Sequence, residues 1–261
     1  MLSWIDDDQS LPSAHAALGP DSDAPGLVAA GGRVTPQRLE EAYRKGIFPW
    51  FSAGQPVLWW SPDPRMVLPV ADFKLSHSLR KTLRRFLRTP GCEVRIDHDF
   101  RAVMQACAQT PRAGQDGTWI VPAMVDAYCE WHSQGRVHSV ETWVDEQRVG
   151  GLYFVSIGSM CFGESMFSHR TDASKIALAA LVAACRARGV LTEASGGLVL
   201  DTARAVAAFA FGLRHPVVDT NVRRVIARAV LGQGEAGPPS TRRDLAAMEA
   251  LLPDDEPAAK V

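Results

Sequence analysis

Three stretches between Arg136 and Glu164 most constrain the fold of this chain, because together they predict an antiparallel sheet. RVHSVETWV is followed by a turn at DEQ, then by RVGGLYFVSIG and by SMCFGE. The alternation in VHSVETWV is typical of a half-buried strand, and the pair Gly150–Gly151 allows a bulge or the close approach of a ligand. The next segment, DASKIALAALVAACRARG, predicts a helix capped at position 171 or 172 and ending at Gly189. The sheet therefore passes directly into a helix.

A single carboxylate stands at this transition from sheet to helix. Glu164 lies between Gly163 and Ser165, just ahead of Met166 and Phe167. A solvent-exposed glutamate usually has polar neighbours, and this one has small and apolar ones. The sequence leaves two interpretations open: a carboxylate buried in the core, or the polar end of a pocket.

The first seventy residues are rich in proline, glycine and tryptophan. One helix is clear within them: Thr35 caps it, Pro36 occupies its first turn and Gly46 ends it. Prolines at positions 56, 62, 64 and 69 predict that any strands here are short edge pieces. The aromatic residues form either a small core or a face for a flat ligand. These residues are Phe48, Trp50, Phe51, Trp59 and Trp60.

A helix with charge of one sign follows. The segment KLSHSLRKTLRRFLR, from Lys74 to Arg88, has leucines and Phe86 on one face. The formal net charge of the chain is -1, so a stripe of positive charge is a local feature. It predicts either a solvated helix face or a phosphate-binding surface. The residues of this basic stripe are Arg80, Lys81, Arg84, Arg85 and Arg88.

Composition argues against several classes of protein. Hydrophobic residues make up 46% and charged residues 22% of the 261 residues, which is typical of a folded globular chain and not of a disordered one. The five cysteines are scattered and form no C-x-x-C pair, so we expect reduced thiols and no zinc or iron–sulfur site. The amino terminus lacks the pattern of a signal peptide, and the longest apolar run is too short to cross a bilayer. We expect a soluble cytoplasmic protein.

Five motifs, in order, resemble the leucyl/phenylalanyl-tRNA–protein transferase family. They are GIFPWF, WWSPDPR, GTWI, GGLYFVSIG and FGESMFSHRTDASK, and the resemblance covers roughly residues 1–190. It implies an α/β (α+β) chain with a small N-terminal domain (1–72) and an acetyltransferase-like (GNAT-like) domain with an antiparallel sheet (73–192). It also implies transfer of Leu, Phe or Met from a charged tRNA to proteins that begin with Arg or Lys, which marks them for degradation. We expect a monomer without a membrane partner.

The resemblance also implies roles for individual residues. The aminoacyl ester is already activated, so no cofactor or metal is expected. Glu164 is the expected catalytic carboxylate, which attracts the cationic acceptor and takes a proton from its amine. Trp50 and Trp119 are expected to lie near the terminal adenosine of the tRNA. The basic stripe is expected to bind tRNA phosphates. The other expected substrate-binding residues are Phe51, Leu152, Phe162, Ser165, Met166 and Phe167.

The resemblance ends near residue 190. In the family, a short strand with an aspartate and a glutamine of the reaction centre comes next, whereas VLTEASGG stands here at positions 190–197. Residues ~198–255 instead resemble a fragment of an A/G-specific adenine DNA glycosylase, and Asp219 matches the essential aspartate of that family. We expect a helical tail over residues 193–261.

Three functions remain in view from the sequence. The chain is a transferase with a replaced carboxyl-terminal portion, a catalytically impaired chimera that still binds aminoacyl-tRNA, or a remnant of a DNA glycosylase. The missing aspartate and glutamine favour the second, and only the tail favours the third.

Overall fold

The structure, a computed structural model, describes residues 2–111, 118–158, 160–187 and 198–200. Within these ranges the chain is a mixed α+β protein with two sheets and five α-helices. The strands are β1 (Ser3–Ile5), β2 (Leu27–Gly31), β3 (Phe48–Pro49), β4 (Leu58–Trp60), β5 (Val67–Leu68), β6 (Cys92–Ile96), β7 (Val137–Val144), β8 (Gln147–Ile157), β9 (Met160–Ser168) and β10 (Leu198–Leu200). The helices are α1 (Pro36–Arg44), α2 (His77–Phe86), α3 (Phe100–Gln109), α4 (Pro122–Ser133) and α5 (Ala173–Ala187).

The smaller sheet is built from N-terminal strands in the order β1–β2–β4–β3. Strands β3 and β4 have two and three residues, as the prolines predicted, but the prediction of edge strands is wrong for β4, which pairs on both sides. The reason is that Pro56 and Pro62 lie outside the three residues of β4 and remove no hydrogen bond from them. Trp59, at the centre of β4, is fully buried, and its indole Nε1 donates to the carbonyl of Gly31 at 3.0 Å.

Helix α1 packs beside this sheet and has the predicted ends. The Thr35 hydroxyl accepts a hydrogen bond from the backbone N–H of Arg38 at 3.2 Å, and Pro36 follows as the first helical residue. Gly46, with φ +73°, takes the left-handed conformation just after the helix. The buried face of α1 includes Tyr43, which therefore points away from solvent.

The larger sheet has six strands in the order β5–β10–β9–β8–β7–β6. Strands β6 to β9 pair antiparallel with their neighbours, which confirms the predicted sheet, and β10 lies parallel to β9. The sheet passes from Ser168 into α5 at Ala173 with four residues between them. Helix α5 packs on one face of the sheet, and α3 and α4 pack on the other.

The glycine pair in β8 fits both a bulge and a close approach. Pairing matches Thr142 with Gly150 and the next residue with Arg148, so Val149 is an extra residue. A Cβ on Gly150 would lie 2.5 Å from the Cβ of Ala173, which begins α5. The group that approaches closely is therefore a helix and not a ligand.

The first hydrophobic core joins the N-terminal region to the larger sheet. Tyr43 and Phe48 from the N-terminal region pack in one cluster with Tyr128 and Trp131 of α4 and with Phe162 of β9. A second cluster lies between α5 and the other face of the sheet. The two regions of the chain thus share one apolar interior.

Three residues of segment 193–261 form β10. The rest of the predicted helical tail, including Asp219, lies outside the described residues. In the described ranges, no helix is both long and apolar enough to cross a membrane.

Candidate active site

Glu164 is the inserted residue of a β-bulge. Strands β8 and β9 pair Phe154 with Gly163 and Tyr153 with Ser165, so Glu164 is an additional residue between two successive pairs. A bulge redirects the side chains around it and is common beside active sites. Here it turns a carboxylate into the interior of the protein, since Glu164 is only 9% exposed.

A short chain of hydrogen bonds ends on this carboxylate. The hydroxyl of Tyr43 donates to Oε1 of Glu164 at 2.6 Å, and the hydroxyl of Tyr128 lies 2.7 Å from that of Tyr43. Because Tyr43 uses its proton toward Glu164, Tyr128 is the donor in the second bond. Burial, followed by the nearby charge of Glu164, raises the pKa of Tyr43 well above its usual value. Tyr43 therefore stays neutral and keeps donating to the carboxylate.

Aromatic rings hold the two tyrosines in place. The ring of Tyr43 meets Phe162 edge-to-face at 5.1 Å between centroids, and it is tilted against Trp131 at 5.6 Å. Tyr128 meets Tyr153 edge-to-face at 5.9 Å. These contacts fix the donors and exclude water, so the hydrogen bond to Glu164 forms in surroundings of low polarity.

A pocket opens beside the bulge, between the sheet and α5. Its accessible volume is about 10 Å³, which is room for about one water molecule and far below the roughly 300–1,000 Å³ of pockets for whole small molecules. Leu152 and Met166, which face each other across β8 and β9, and Leu178 of α5 make its walls apolar. Glu164 also lines it, but Oε1 of its carboxylate is bound by Tyr43, which belongs to the core on the other face of the sheet. The pocket thus has mainly apolar walls and the size of a water molecule, so it must widen before a side chain can enter.

Four predicted site residues line this pocket: Leu152, Glu164, Ser165 and Met166. Phe162 and Phe167 were expected there too, but both belong to the core on the opposite face of the sheet. The physical reason is the alternation of a strand: the residues of β9 that pair with Val155 and Gly151 face α3 and α4.

The predicted aromatic residues divide between core and surface. Phe51 is 8% exposed and lies in the first core, and Trp119 packs against that core while partly exposed. Trp50 is 46% exposed, and its backbone carbonyl accepts from the indole Nε1 of Trp60 at 2.8 Å. Phe51 therefore fits the interpretation as a core, whereas the interpretation as a face for a flat ligand stays a prediction for the exposed Trp50.

The tyrosines and the side of the pocket formed by α5 are functional features that no sequence motif predicted. Tyr43, Tyr128 and Tyr153 are fully or nearly fully buried, and Leu178 and Leu181 come from α5. One signal was present: a tyrosine on the buried face of a helix needs a partner for its hydroxyl. Which partner it finds depends on packing across more than a hundred residues of sequence.

The basic stripe lies on the exposed face of α2. The hydroxyl of Ser76 caps the helix by accepting from the N–H of Leu79 at 3.2 Å, and Leu79 and Phe86 are buried. All five basic residues are exposed, and none of them forms an ion pair with another described residue. The charge of the stripe is therefore available to an external anion.

Comparisons with known proteins agree with the motifs. A model of the leucyl/phenylalanyl-tRNA protein transferase family matches residues 67–193, and a model of the N-terminal domain of that family matches residues 32–63. A leucyl/phenylalanyl-tRNA–protein transferase of Methylibium petroleiphilum is 69% identical over 191 residues, which cover 73% of this chain and 72% of the relative. One of Leptothrix cholodnii is 62% identical over 193 residues, covering 73% and 75%.

A third relative extends the similarity further along the chain. The leucyl/phenylalanyl-tRNA–protein transferase of Burkholderia lata is 51% identical over 251 residues, which cover 92% of this chain and 98% of the relative. Because 92% of the chain cannot fit within its first 193 residues, this alignment enters the carboxyl-terminal segment.

Proposed function

The chain belongs to the leucyl/phenylalanyl-tRNA–protein transferase family, and on that premise we propose that it moves leucine or phenylalanine from an aminoacyl-tRNA to the amino terminus of an acceptor protein. The observation that carries the proposal is the buried carboxylate of Glu164, which Tyr43 holds beside a small pocket with mainly apolar walls. We further propose that the acceptor begins with Arg or Lys, that the enzyme is a monomer, and that the larger sheet with its helices is acetyltransferase-like. The proposal also includes domain boundaries between residues 72 and 73 and between residues 192 and 193.

The pocket selects the transferred side chain. The pocket has an accessible volume of about 10 Å³ and would have to widen to admit a side chain. Leu152, Met166 and Leu178 offer only apolar surface, so a leucine or phenylalanine side chain would lose contact with water on entering. A charged side chain would lose its hydration without gaining a partner from these walls. The selection of apolar amino acids follows from this balance.

Glu164 acts at the reacting amine. The α-amine of the acceptor attacks the ester carbonyl, a C–N bond forms, and the bond from that carbon to the ribose oxygen breaks. Glu164 accepts the proton that the amine loses, and the ribose oxygen takes up a proton as it leaves. The hydrogen bond from Tyr43 orients the carboxylate of Glu164 for this proton transfer. The negative charge of the carboxylate attracts the cationic acceptor.

Trp50 and the basic stripe would hold the tRNA. The exposed ring of Trp50 offers a surface on which the terminal adenosine can stack. The stripe, with its uncompensated positive charge, would bind backbone phosphates without reading bases. Trp119 and Phe51 belong to the same proposed region, because they share the first core with Trp60, whose ring lies 6.3 Å from that of Trp50.

Neutralising two residues of the stripe tests its role. We expect Arg84→Gln combined with Arg85→Gln to weaken tRNA binding for all tRNA sequences, because two phosphate contacts are lost. The slope of log affinity against log salt should fall by about one unit for each lost contact. The measurement is a salt series of tRNA affinities. The matched control, Arg101→Gln with Arg136→Gln, removes the same charge elsewhere; an unchanged slope in the stripe variant would make α2 a solvated face.

Enlarging the pocket tests its selectivity. We expect Met166→Ala to shift the preference from leucine toward phenylalanine by on the order of tenfold, because the larger ring fills the added space better. The measurement is the ratio of kcat/KM for the two aminoacyl-tRNAs. Met160→Ala shortens the same residue type on the same strand but away from the pocket, and its ratio should stay at the wild-type value. Equal ratios in both variants would remove Met166 from the specificity wall.

A transfer assay tests the function itself. Labelled phenylalanine should pass from Phe-tRNA to a peptide that begins with Arg. Binding of Phe-tRNA without transfer would instead support the impaired chimera. The glycosylase-like resemblance of residues ~198–255 would gain support only from excision of adenine at an A·G mismatch, which we do not expect.

A further inference from the structure

A second cluster of reactive side chains lies apart from the pocket. Asp97 follows β6, His132 lies in the last turn of α4, and His138 lies on β7. One ligand atom from each lies within 4.8 Å of the others. We propose that these three residues bind one divalent transition-metal ion of the kind that prefers imidazole and carboxylate ligands, such as zinc or cobalt.

The distances bracket those of a coordinated ion. Nδ1 of His138 lies 2.7 Å from Oδ2 of Asp97, and Nδ1 of His132 lies 3.9 Å from Oδ1. An ion bonded to each ligand at about 2.0–2.2 Å separates its ligand atoms by roughly 3–3.5 Å. These two separations would therefore change by less than about 1 Å, and a pair at the 4.8 Å limit of the cluster would have to close by about 1.3 Å. The three side chains are 27–29% exposed, which leaves room for an ion to enter and for waters to complete its coordination.

Neighbouring groups hold the three candidate ligands in place by hydrogen bonds and ring stacking. The backbone N–H of Ser139 donates to Oδ1 of Asp97 at 2.7 Å, and the ring of Phe100 stacks on His132 at 4.4 Å. Nδ1 of His132 donates to the carbonyl of Val137 at 2.7 Å; coordination through Nε2 keeps this bond, and coordination through Nδ1 replaces it. Asp97 has φ +54°, an uncommon conformation for a residue other than glycine, and such conformations cluster at functional sites.

The sequence alone did not predict this site. The cysteine pattern predicted that there is no zinc site, and the proposed site departs from that prediction because the spacing of cysteines carries no information on a set of two histidines and one carboxylate. Asp97 stands well before the two histidines, and β7 and α4 carry one histidine each, so no short motif connects them. Only the fold brings them together.

An ion here would also act on the candidate active site. His132 follows Tyr128 by one helical turn on α4, and Tyr128 is hydrogen-bonded to the Tyr43 that donates to Glu164. Fixing the end of α4 would fix that donor chain. The metal would thus be structural, and the proposed transfer does not route through it.

Titration of the full chain with zinc or cobalt tests the proposal. We expect one saturable site and a rise in Tm on adding zinc to protein freed of metal by a chelator. Asp97→Asn and His138→Gln should each weaken binding by more than about 100-fold, the upper end of the loss from an outer-shell partner. His98→Gln, at an exposed histidine beside Asp97, is the matched control and should bind as the wild type does.

The outcomes separate a metal site from a hydrogen-bond network. A network without metal predicts lower Tm for Asp97→Asn and His138→Gln in chelator, but no zinc-dependent rise in the wild type. That result would overturn the proposal, as would equal binding by wild type and both ligand variants. Equal loss in His98→Gln would point to adventitious binding by surface histidines and would overturn it as well. The zinc-dependent rise is read in the wild type, so it does not depend on the folding of any variant.

Discussion

Replacing Glu164 by Gln should lower the rate of phenylalanine transfer by on the order of a hundredfold or more, the loss that accompanies removal of a positioned acid–base group. Gln has the same shape and still accepts a hydrogen bond from Tyr43, so the bulge and the pocket should persist. It cannot take a proton from the acceptor amine or attract a cationic side chain. The measurement is single-turnover transfer from Phe-tRNA, together with the tRNA affinity, which should stay unchanged.

A matched control sharpens this test. Glu130→Gln makes the same chemical change at an exposed position on α4 and should leave transfer at the wild-type rate. Wild-type transfer by a folded Glu164→Gln protein would return this carboxylate to a purely structural role. A fall in tRNA affinity of the same size as the fall in rate would make Glu164 a binding group.

Replacing Gly150 by Ala should lower the free energy of unfolding by about 3 kcal/mol, the upper part of the usual range for overpacking. The added Cβ would lie 2.5 Å from the Cβ of Ala173 and 2.9 Å from its carbonyl carbon. Neither a backbone atom nor a Cβ can move aside as the end of a long side chain can. Either β8 or the start of α5 must shift, and the hydrogen bond from the Thr142 hydroxyl to the Ala173 carbonyl, 2.8 Å long, would be strained with it.

Denaturant unfolding, followed by circular dichroism, measures this effect. Gly19→Ala is the matched control, because a Cβ there meets no atom within 4 Å and φ is not positive. Its stability should change by less than about 0.5 kcal/mol, as for most surface substitutions. Similar stabilities of the two variants would mean that β8 and α5 are not in tight contact at Gly150.

The parts of the fold that sequence predicted are those fixed by neighbours in the chain. The cap at Thr35, the proline after it and Gly46 set the ends of α1 within a dozen residues. Alternation set the strands β7 to β9 in the same way, because the side chains of a strand point to opposite faces regardless of what lies beyond. These patterns are local, so they can be interpreted without the rest of the molecule.

The candidate site was predicted only in part, for the opposite reason. Motifs indicated Glu164 and its neighbours, but the bulge depends on how β9 pairs with β8, and strict alternation would have placed Ser165 on the other face. The donor Tyr43 is separated from Glu164 by 121 positions, and nothing near either residue indicates the other. The same holds for Leu178, whose place at the pocket depends on the packing of α5 against the sheet.

The bond between Tyr43 and Glu164 crosses the boundary between the two family matches, since one residue lies in segment 32–63 and the other in segment 67–193. Neither segment alone contains both the acid and its donor. A gene that lost either segment would encode a carboxylate without its orienting hydroxyl, or a hydroxyl exposed on a helix with no acid to bind. Both segments must therefore be present in one folded chain for the carboxylate to have this donor.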